Sequence, residues 1–300
     1  MKIVKEYVLN MFNGFCMALA DSVPGVSGGT IAFLLGFYDK FINSLDDLFR
    51  GNMKAKKNAL IFLIKLGIGW VIGFLASATI LSGLFTTKIY AMSSLFIGFI
   101  IAAIPLIVKQ ELDSFKGKYK NIVFAILGLL LVVGITLLSG NSLFDVNLAK
   151  PDIFTYLYVL VSASIAITAM VLPGISGSTL LLVFGLYIPI MNAIKELLSF
   201  NFSVLPVLIV FGIGILFGIV FFVKLLRIGL KKFRSQICYT IIGMMVGSLF
   251  SIVMGPTTLE EPMQMLTFKS FDILFFLIGI IIIVSLEILR VKLSKQTDVK

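Results

Sequence analysis

Apolar runs recur along the whole chain, at about 7–20, 26–38, 59–85, 89–108, 121–139, 153–172, 177–194, 204–223, 237–254 and 270–289. A helix needs roughly 20 such residues to cross the hydrocarbon of a bilayer, where every backbone N–H and C=O must find an internal partner. This feature predicts an all-α polytopic membrane protein. Composition agrees: 59% of the 300 residues are hydrophobic and 13% are charged, against roughly 45–50% and 25% in soluble domains. A cytosolic enzyme, a disordered chain and a secreted disulfide scaffold are thereby excluded.

Six runs read as full spans: 59–85, 89–108, 121–139, 204–223, 237–254 and 270–289. The other four form two pairs, each broken at Pro-Gly-x-Ser-Gly. They read as re-entrant hairpins over 7–44 and 153–194, although 153–172 is long enough to cross by itself. Pro24-Gly25-Val26-Ser27-Gly28-Gly29-Thr30 matches Pro173-Gly174-Ile175-Ser176-Gly177-Ser178-Thr179 at an offset of 149, and the match continues through Gly36/Gly185 and Tyr38/Tyr187. Gly67, Gly69, Gly73 and Gly98 match Gly212, Gly214, Gly218 and Gly243 at 145; Gly128 matches Gly279 at 151. The chain is therefore one unit written twice, 1–145 and 146–300, each a hairpin plus three spans. An odd number of spans per unit turns the second copy upside down, the inverted-topology repeat of many secondary transporters. Charge agrees. With both termini cytoplasmic, only Lys88, Lys150, Lys195 and Lys269 fall outside and Lys65 lies within a span, leaving 20 of the 25 Lys and Arg inside. The net charge of +10 thus reads as basic cytoplasmic loops and not as a nucleic-acid surface. Lys2, Lys5 and Ala18-Leu19-Ala20 imitate a cleavable signal, but Asn10, Asn13 and the mid-chain recurrence argue for retention.

Non-helical backbone at membrane depth is tolerated only where it is buried in protein or lines a wet cavity. In each hairpin, proline stops the first arm, glycines free the backbone, and serine and threonine stand where the second arm starts. Such a start offers unpaired N–H groups and a partial positive charge, suited to phosphate or carboxylate. The candidate anion site comprises Ser22, Gly25, Ser27, Gly28, Gly29 and Thr30 with Gly174, Ser176, Gly177, Ser178 and Thr179. The plainer alternative is a tight, closely packed turn; two copies in matched context favour a site. Asp21, Lys65 and Glu287 are the intramembrane charges, opposite Met170, Val210 and Thr136 in the repeat. They are candidates for coupling or charge compensation, with snorkelling of Lys65 and pairing of Glu287 to Arg290 as the structural alternatives.

Other chemistry is scarce. The absence of histidine removes Ser-His and Cys-His catalysis, so the Gly-x-Ser-Gly strings lack a protease's base. Cys16 and Cys238 have no CxxC spacing and read as packing residues. No acidic metal cluster is visible; neither a metal nor another cofactor is expected, and the chain does not read as an enzyme. Gly67, Gly69 and Gly73 lie in an apolar helix and read as close-packing positions, not a dinucleotide loop. Segment 40–58 reads as a solvated amphipathic connection, and 255–269 as a mildly acidic outer loop.

Ala20-Asp21-Ser22-Val23-Pro24-Gly25-Val26-Ser27-Gly28-Gly29-Thr30 and Leu172-Pro173-Gly174-Ile175-Ser176-Gly177 resemble a bacterial membrane family, the PopT-type polyprenyl-phosphate translocases. The resemblance covers essentially the full length. It implies a flippase of the bacterial plasma membrane that returns undecaprenyl phosphate, the C55 carrier of cell-wall peptidoglycan precursors, from the outer to the inner leaflet. The implied partners are that lipid and the surrounding membrane; apart from the resemblance, a proton or sodium ion on Asp21 would relieve its repulsion of a bound anion, one physical route to gradient-coupled transport. The residues alone are less specific: they leave open a transporter or channel for a small soluble anion, and disfavour a lipid-modifying enzyme.

Overall fold

The computed structural model describes residues 2–21, 27–77, 88–138, 148, 151–258 and 263–298. Among them every regular element is helical: α1 (Lys2–Asp21), α2 (Gly28–Leu34), α3 (Tyr38–Arg50), α4 (Met53–Ala76), α5 (Ile89–Gln110), α6 (Leu112–Phe115), α7 (Ile122–Leu138), α8 (Ile153–Val171), α9 (Gly177–Val183), α10 (Tyr187–Leu198), α11 (Leu205–Lys232), α12 (Arg234–Met254) and α13 (Ile273–Asp298). Six stretches are long and apolar enough to cross a membrane: Met53–Ala76, Ile89–Gln110, Tyr119–Leu138, Ile153–Val171, Phe202–Lys232 and Arg234–Thr257. Five coincide with expected spans. Ile153–Val171 joins them, although the repeat pattern assigns it to a hairpin arm. The expected span 270–289 falls in α13, whose apolar stretch Ile273–Ile288 is shorter.

Local chemistry sets the boundaries. Asn52 caps α4 by accepting the Ala55 N–H at 2.9 Å, and Asp152 caps α8 by accepting that of Thr155 at 2.8 Å. α8 stops at Val171 because Pro173 drives Leu172 into an extended conformation (ψ 136°). The second hairpin arms are not the continuous runs 26–38 and 177–194. α2 and α9 are seven residues each, about 10 Å long, too short to cross. Each ends at a glycine of positive φ, Gly36 (69°) or Gly185 (65°). The bonds there are the same in both halves: Gly36 N–H to Phe33 O and Phe37 N–H to Ala32 O, Gly185 N–H to Leu182 O and Leu186 N–H to Leu181 O. This is the Schellman closure, which needs a left-handed residue after the last turn.

Helix pairing respects the repeat. α1 packs on α4 as α8 packs on α11, within each half; α5 packs on α13 as α7 packs on α12, across the halves. Glycines set these approaches. A Cβ on Gly69 would run into Met11 O, and one on Gly214 into Leu160 O. Gly73 faces Phe15 O, and Gly218 faces Ser164 O. Gly98 lies on Phe276 O and Gly243 on Ala125 O; Gly128 lies on Thr240 O and Gly279 on Leu95 O. Exchanging the halves carries each contact onto its counterpart. Gly67 and Gly212 have open space instead, so the close-packing expectation fails at that pair. One large core unites Ile31, Leu34 and Ile42 of the first half with Ile175, Ile241 and Met244 of the second; a smaller cluster joins Val159, Leu186, Ile190 and Val207. Ile61, Ile64, Ile68, Val71 and Ile72 of α4 stay exposed, a stripe suited to lipid and not to water.

Candidate anion site where the two motifs meet

The two Pro-Gly-x-Ser-Gly motifs touch. Ser27, the N-cap of α2, takes the Thr30 N–H at 3.3 Å and donates its own hydroxyl to Leu172 O at 3.0 Å. The Gly174 N–H donates to Thr30 Oγ1 at 2.9 Å, and the Tyr38 hydroxyl donates to Val171 O at 3.2 Å. A Cβ on Gly29 would lie 2.7 Å from Val171 O, so any larger residue there would push the second turn away. Gly174 has a φ of 88°, and its missing side chain leaves room for the α12 backbone at Met244. Ser27, Thr30 and Ser176 are all buried. Of the predicted site, Ser27, Gly28, Gly29, Thr30, Gly174, Ser176 and Gly177 therefore converge in the interior. Thr179 follows one residue into α9's first turn and is part-exposed. Ser178 lies in the same turn, with its side chain outside the description; Ser22 and Gly25 lie outside the described residues.

The start of α2 is already occupied by an acidic side chain. The Gly28 N–H donates to one Asp21 oxygen at 2.6 Å, and Trp70 Nε1–H donates to the other at 3.0 Å. A carboxylate thus sits where the exposed N–H groups of a helix favour negative charge. At the second motif Gly177 packs against Met170 and Ala166 O, and Ser176 makes no capping bond to α9. Lys65 and Glu287 are elsewhere. The Lys65 ammonium stands 3.3 Å from the centre of the Tyr7 ring, about 20 Å along α1 from Asp21. Glu287 accepts from Gln110 Nε2 at 3.3 Å, and the same nitrogen donates to Leu34 O at 3.4 Å, at the far end of α2.

Sequence reasoning missed Trp70, the one tryptophan of the chain, and missed a charged cluster on one face. Arg227 donates to Asp46 at 2.5 Å and Asp47 at 2.7 Å; Arg50 pairs with Asp46 and donates to Val220 O at 2.7 Å. Arg234 bridges Glu111 at 2.6 Å and Asp39 at 2.9 Å. Segment 40–58 is therefore not a solvated connection, since Asp46 and Ile42 are buried in it. Burial opposes the charge of Asp46 and Glu111, but hydrogen bonds from Arg227 and Arg50 in one case and Arg234 in the other outweigh it and hold both carboxyls below their ordinary range.

Helices long and apolar enough to cross a membrane, with the buried start of α2 bonded to the turn before α9, define a multi-pass helical membrane protein with an interior polar site. The chain belongs to the undecaprenyl phosphate translocase-like family, whose profile matches residues 17–270. A polyprenyl-phosphate transporter of Vibrio cholerae is 33% identical over 255 residues, 81% of this chain and 77% of that protein. One of Staphylococcus aureus is 32% identical over 252 residues, 83% of this chain and 87% of its own length. No solved structure matches.

Proposed function

We propose that this chain transports polyprenyl phosphate, carrying undecaprenyl phosphate from the outer to the inner leaflet of the bacterial plasma membrane by alternating access. Its phosphate is held between the two motif turns of inverted repeats. The names of the two relatives support the substrate class. The observation that carries the site is the direct bonding of Ser27 and Thr30 to Leu172 and Gly174. Buried hydroxyls and N–H groups from both halves converge there, and each half contributes to a single place. The exchange of glycine contacts between halves supports the inverted repeat.

A phosphate monoester carries about −1.5 to −2 charge near neutral pH, and it meets donors that the protein already occupies. To bind, it takes the Ser27 hydroxyl from Leu172 O and the Gly28 N–H from Asp21. An ionised Asp21 beside the phosphate is repulsive, so a proton or a sodium ion on Asp21 relieves the clash and links transport to an ion gradient. Once the headgroup is held, the apolar tail stays in lipid while the turns pass the phosphate between faces.

The test is polyprenyl-phosphate flipping in reconstituted vesicles, comparing wild type with the Ser27→Ala/Ser176→Ala double variant. Fast wild-type flipping, lost in a folded double variant, is the expected result. A wild type that moves no lipid phosphate under any imposed gradient, but passes inorganic phosphate, would replace this reading with a small-anion transporter.

A further inference from the structure

The halves share a pairing scheme but differ in where their amphipathic helices lie. α3 packs on α4 of its own half and also on α11 of the other. Its repeat counterpart α10 packs on α9, α11 and the 202–204 turn, all in its own half; among the described residues it has no comparable packing on α4. Burial follows. Tyr38 and Ile42 of α3 are 2% and 0% exposed, whereas Tyr187 and Met191, at the same positions of α10, are 36% and 41% exposed. Charge follows too. Among the described residues, every ion pair between the halves joins Arg227 or Arg234 to Asp39, Asp46, Asp47 or Glu111. At the positions of Asp39, Asp46 and Asp47, α10 carries Ile188, Lys195 and Glu196.

We propose that the structure is one end state of an exchange: α3 seals the Lys/Arg-rich face by docking on α11, and α10 is the matching seal for the opposite face, docking on α4 when α3 lets go. The inference rests on the transport reading above. Two related units that fit together in two ways supply a bistable element, and packed interfaces switch between discrete arrangements instead of deforming smoothly. The Arg234 pairs, partly exposed, suit a seal that must open, because water replaces them at modest cost. The repeat offsets also specify the unseen contact. Arg50 lies on Val220 in α11; offsets of 149 and 145 turn this pair into Ser199 against Leu75 of α4.

The experiment uses the full chain with Cys16→Ser and Cys238→Ala, reconstituted in vesicles, carrying either Arg50→Cys/Val220→Cys or Leu75→Cys/Ser199→Cys. A short bifunctional thiosulfonate, cleavable by reductant, links each pair. The first pair is expected to link readily and the second slowly. Adding Arg227→Ala and Arg234→Ala is expected to speed the second about tenfold and slow the first, as a shifted two-state balance requires. Linking the first pair is expected to slow polyprenyl-phosphate transport at least about tenfold, with recovery on reduction. Both pairs linking within one molecule, or transport continuing through a complete first link, would overturn the inference. If Arg50→Cys/Val220→Cys does not fold, Asp47→Cys/Arg227→Cys reads the same face. Linking rates need no transported substrate, so they judge the exchange even if the wild type moves no lipid and the transport reading alone fails.

Discussion

The two motif turns have nearly the same sequence and different chemistry. At the first, Ser27 caps α2, and Asp21, held by Trp70, takes the Gly28 N–H. At the second, the positions of Asp21 and Trp70 hold Met170 and Ile215, and Ser176 makes no capping bond. Both members of the Asp–Trp pair are absent together. The glycine contacts recur at matched positions while the carboxylate does not. The matched glycine contacts accompany two turns that meet, and only the first of them carries an acid.

The frame is where the largest effects are expected. Gly69→Val and Gly214→Val drive a side chain into Met11 O and Leu160 O respectively. Overpacking of this kind costs about 1–3 kcal/mol and more against backbone. Both variants should lose folded protein in detergent thermal melts, to similar extents. Gly67→Ala and Gly212→Ala meet open space and should melt no lower than wild type, because alanine favours a helix by about 1 kcal/mol over glycine. Unequal losses from Gly69→Val and Gly214→Val would break the equivalence of the halves.

Next comes the acid. Asp21→Asn keeps an acceptor oxygen for only one of the two donors, the Gly28 N–H or the Trp70 indole, turns an amide NH2 toward the other, and removes the charge. Lipid-phosphate binding should survive while dependence on a proton or sodium gradient disappears. Unchanged gradient dependence in this variant would sink the coupling role of Asp21. Met170→Leu, the matched change at the second turn, should leave gradient dependence as in wild type.

A smaller effect separates the serines. Ser27→Ala removes a cap, worth about 0.5–2 kcal/mol, along with the bond to Leu172 O, so it should lower the melting temperature. Ser176→Ala removes no cap and should lower the melting temperature less than Ser27→Ala does. Equal effects of the two on stability would mean that the turns are not chemically distinct.

Much of this was legible in the chain. Apolar run length located five of the six crossing stretches, and repeated Pro, Gly and Ser identified two turns that indeed touch. What escaped has a common physical cause. The break at Gly36 and Gly185 lies inside an apolar run, where hydropathy carries no signal, although paired glycines at matched positions could have flagged a left-handed turn. Trp70 reaches Asp21 from another helix, and Arg234 reaches Asp39 across the halves. Such contacts depend on which helix faces which, and periodicity within one segment does not contain that. Segment 40–58 looked solvated because its acids were counted without the arginines that neutralise them.

The last comparison is between the faces. Among the described residues, the ion pairs that hold α3 to α11 and α12 take their acids, Asp39, Asp46 and Asp47, from the first half, as does the Arg234 pair with Glu111, whose equivalent position holds Pro256. Because Arg227 and Arg50 lower the Asp46 carboxyl and Arg234 lowers that of Glu111, below their ordinary values of 3.8 and 4.5, the Asp46 pairs stabilise α3 on α11, and the Glu111 pair the end of α5 on α12, fully above those values. The stabilisation fades only as pH falls through the lower folded-state values. Between pH 5 and pH 8 the clasp should therefore be constant. Linking of Arg50→Cys/Val220→Cys, measured across that range after correction for thiol ionisation, should not change, whereas 1 M salt should slow it modestly by screening the exposed part of the pairs. On the proposed transport reading, gradient dependence near neutral pH is then expected at Asp21 and not at the face that α3 covers. A linking rate that climbs or falls between pH 5 and pH 8 would move the proton-sensitive element from the first turn to the face that α3 covers.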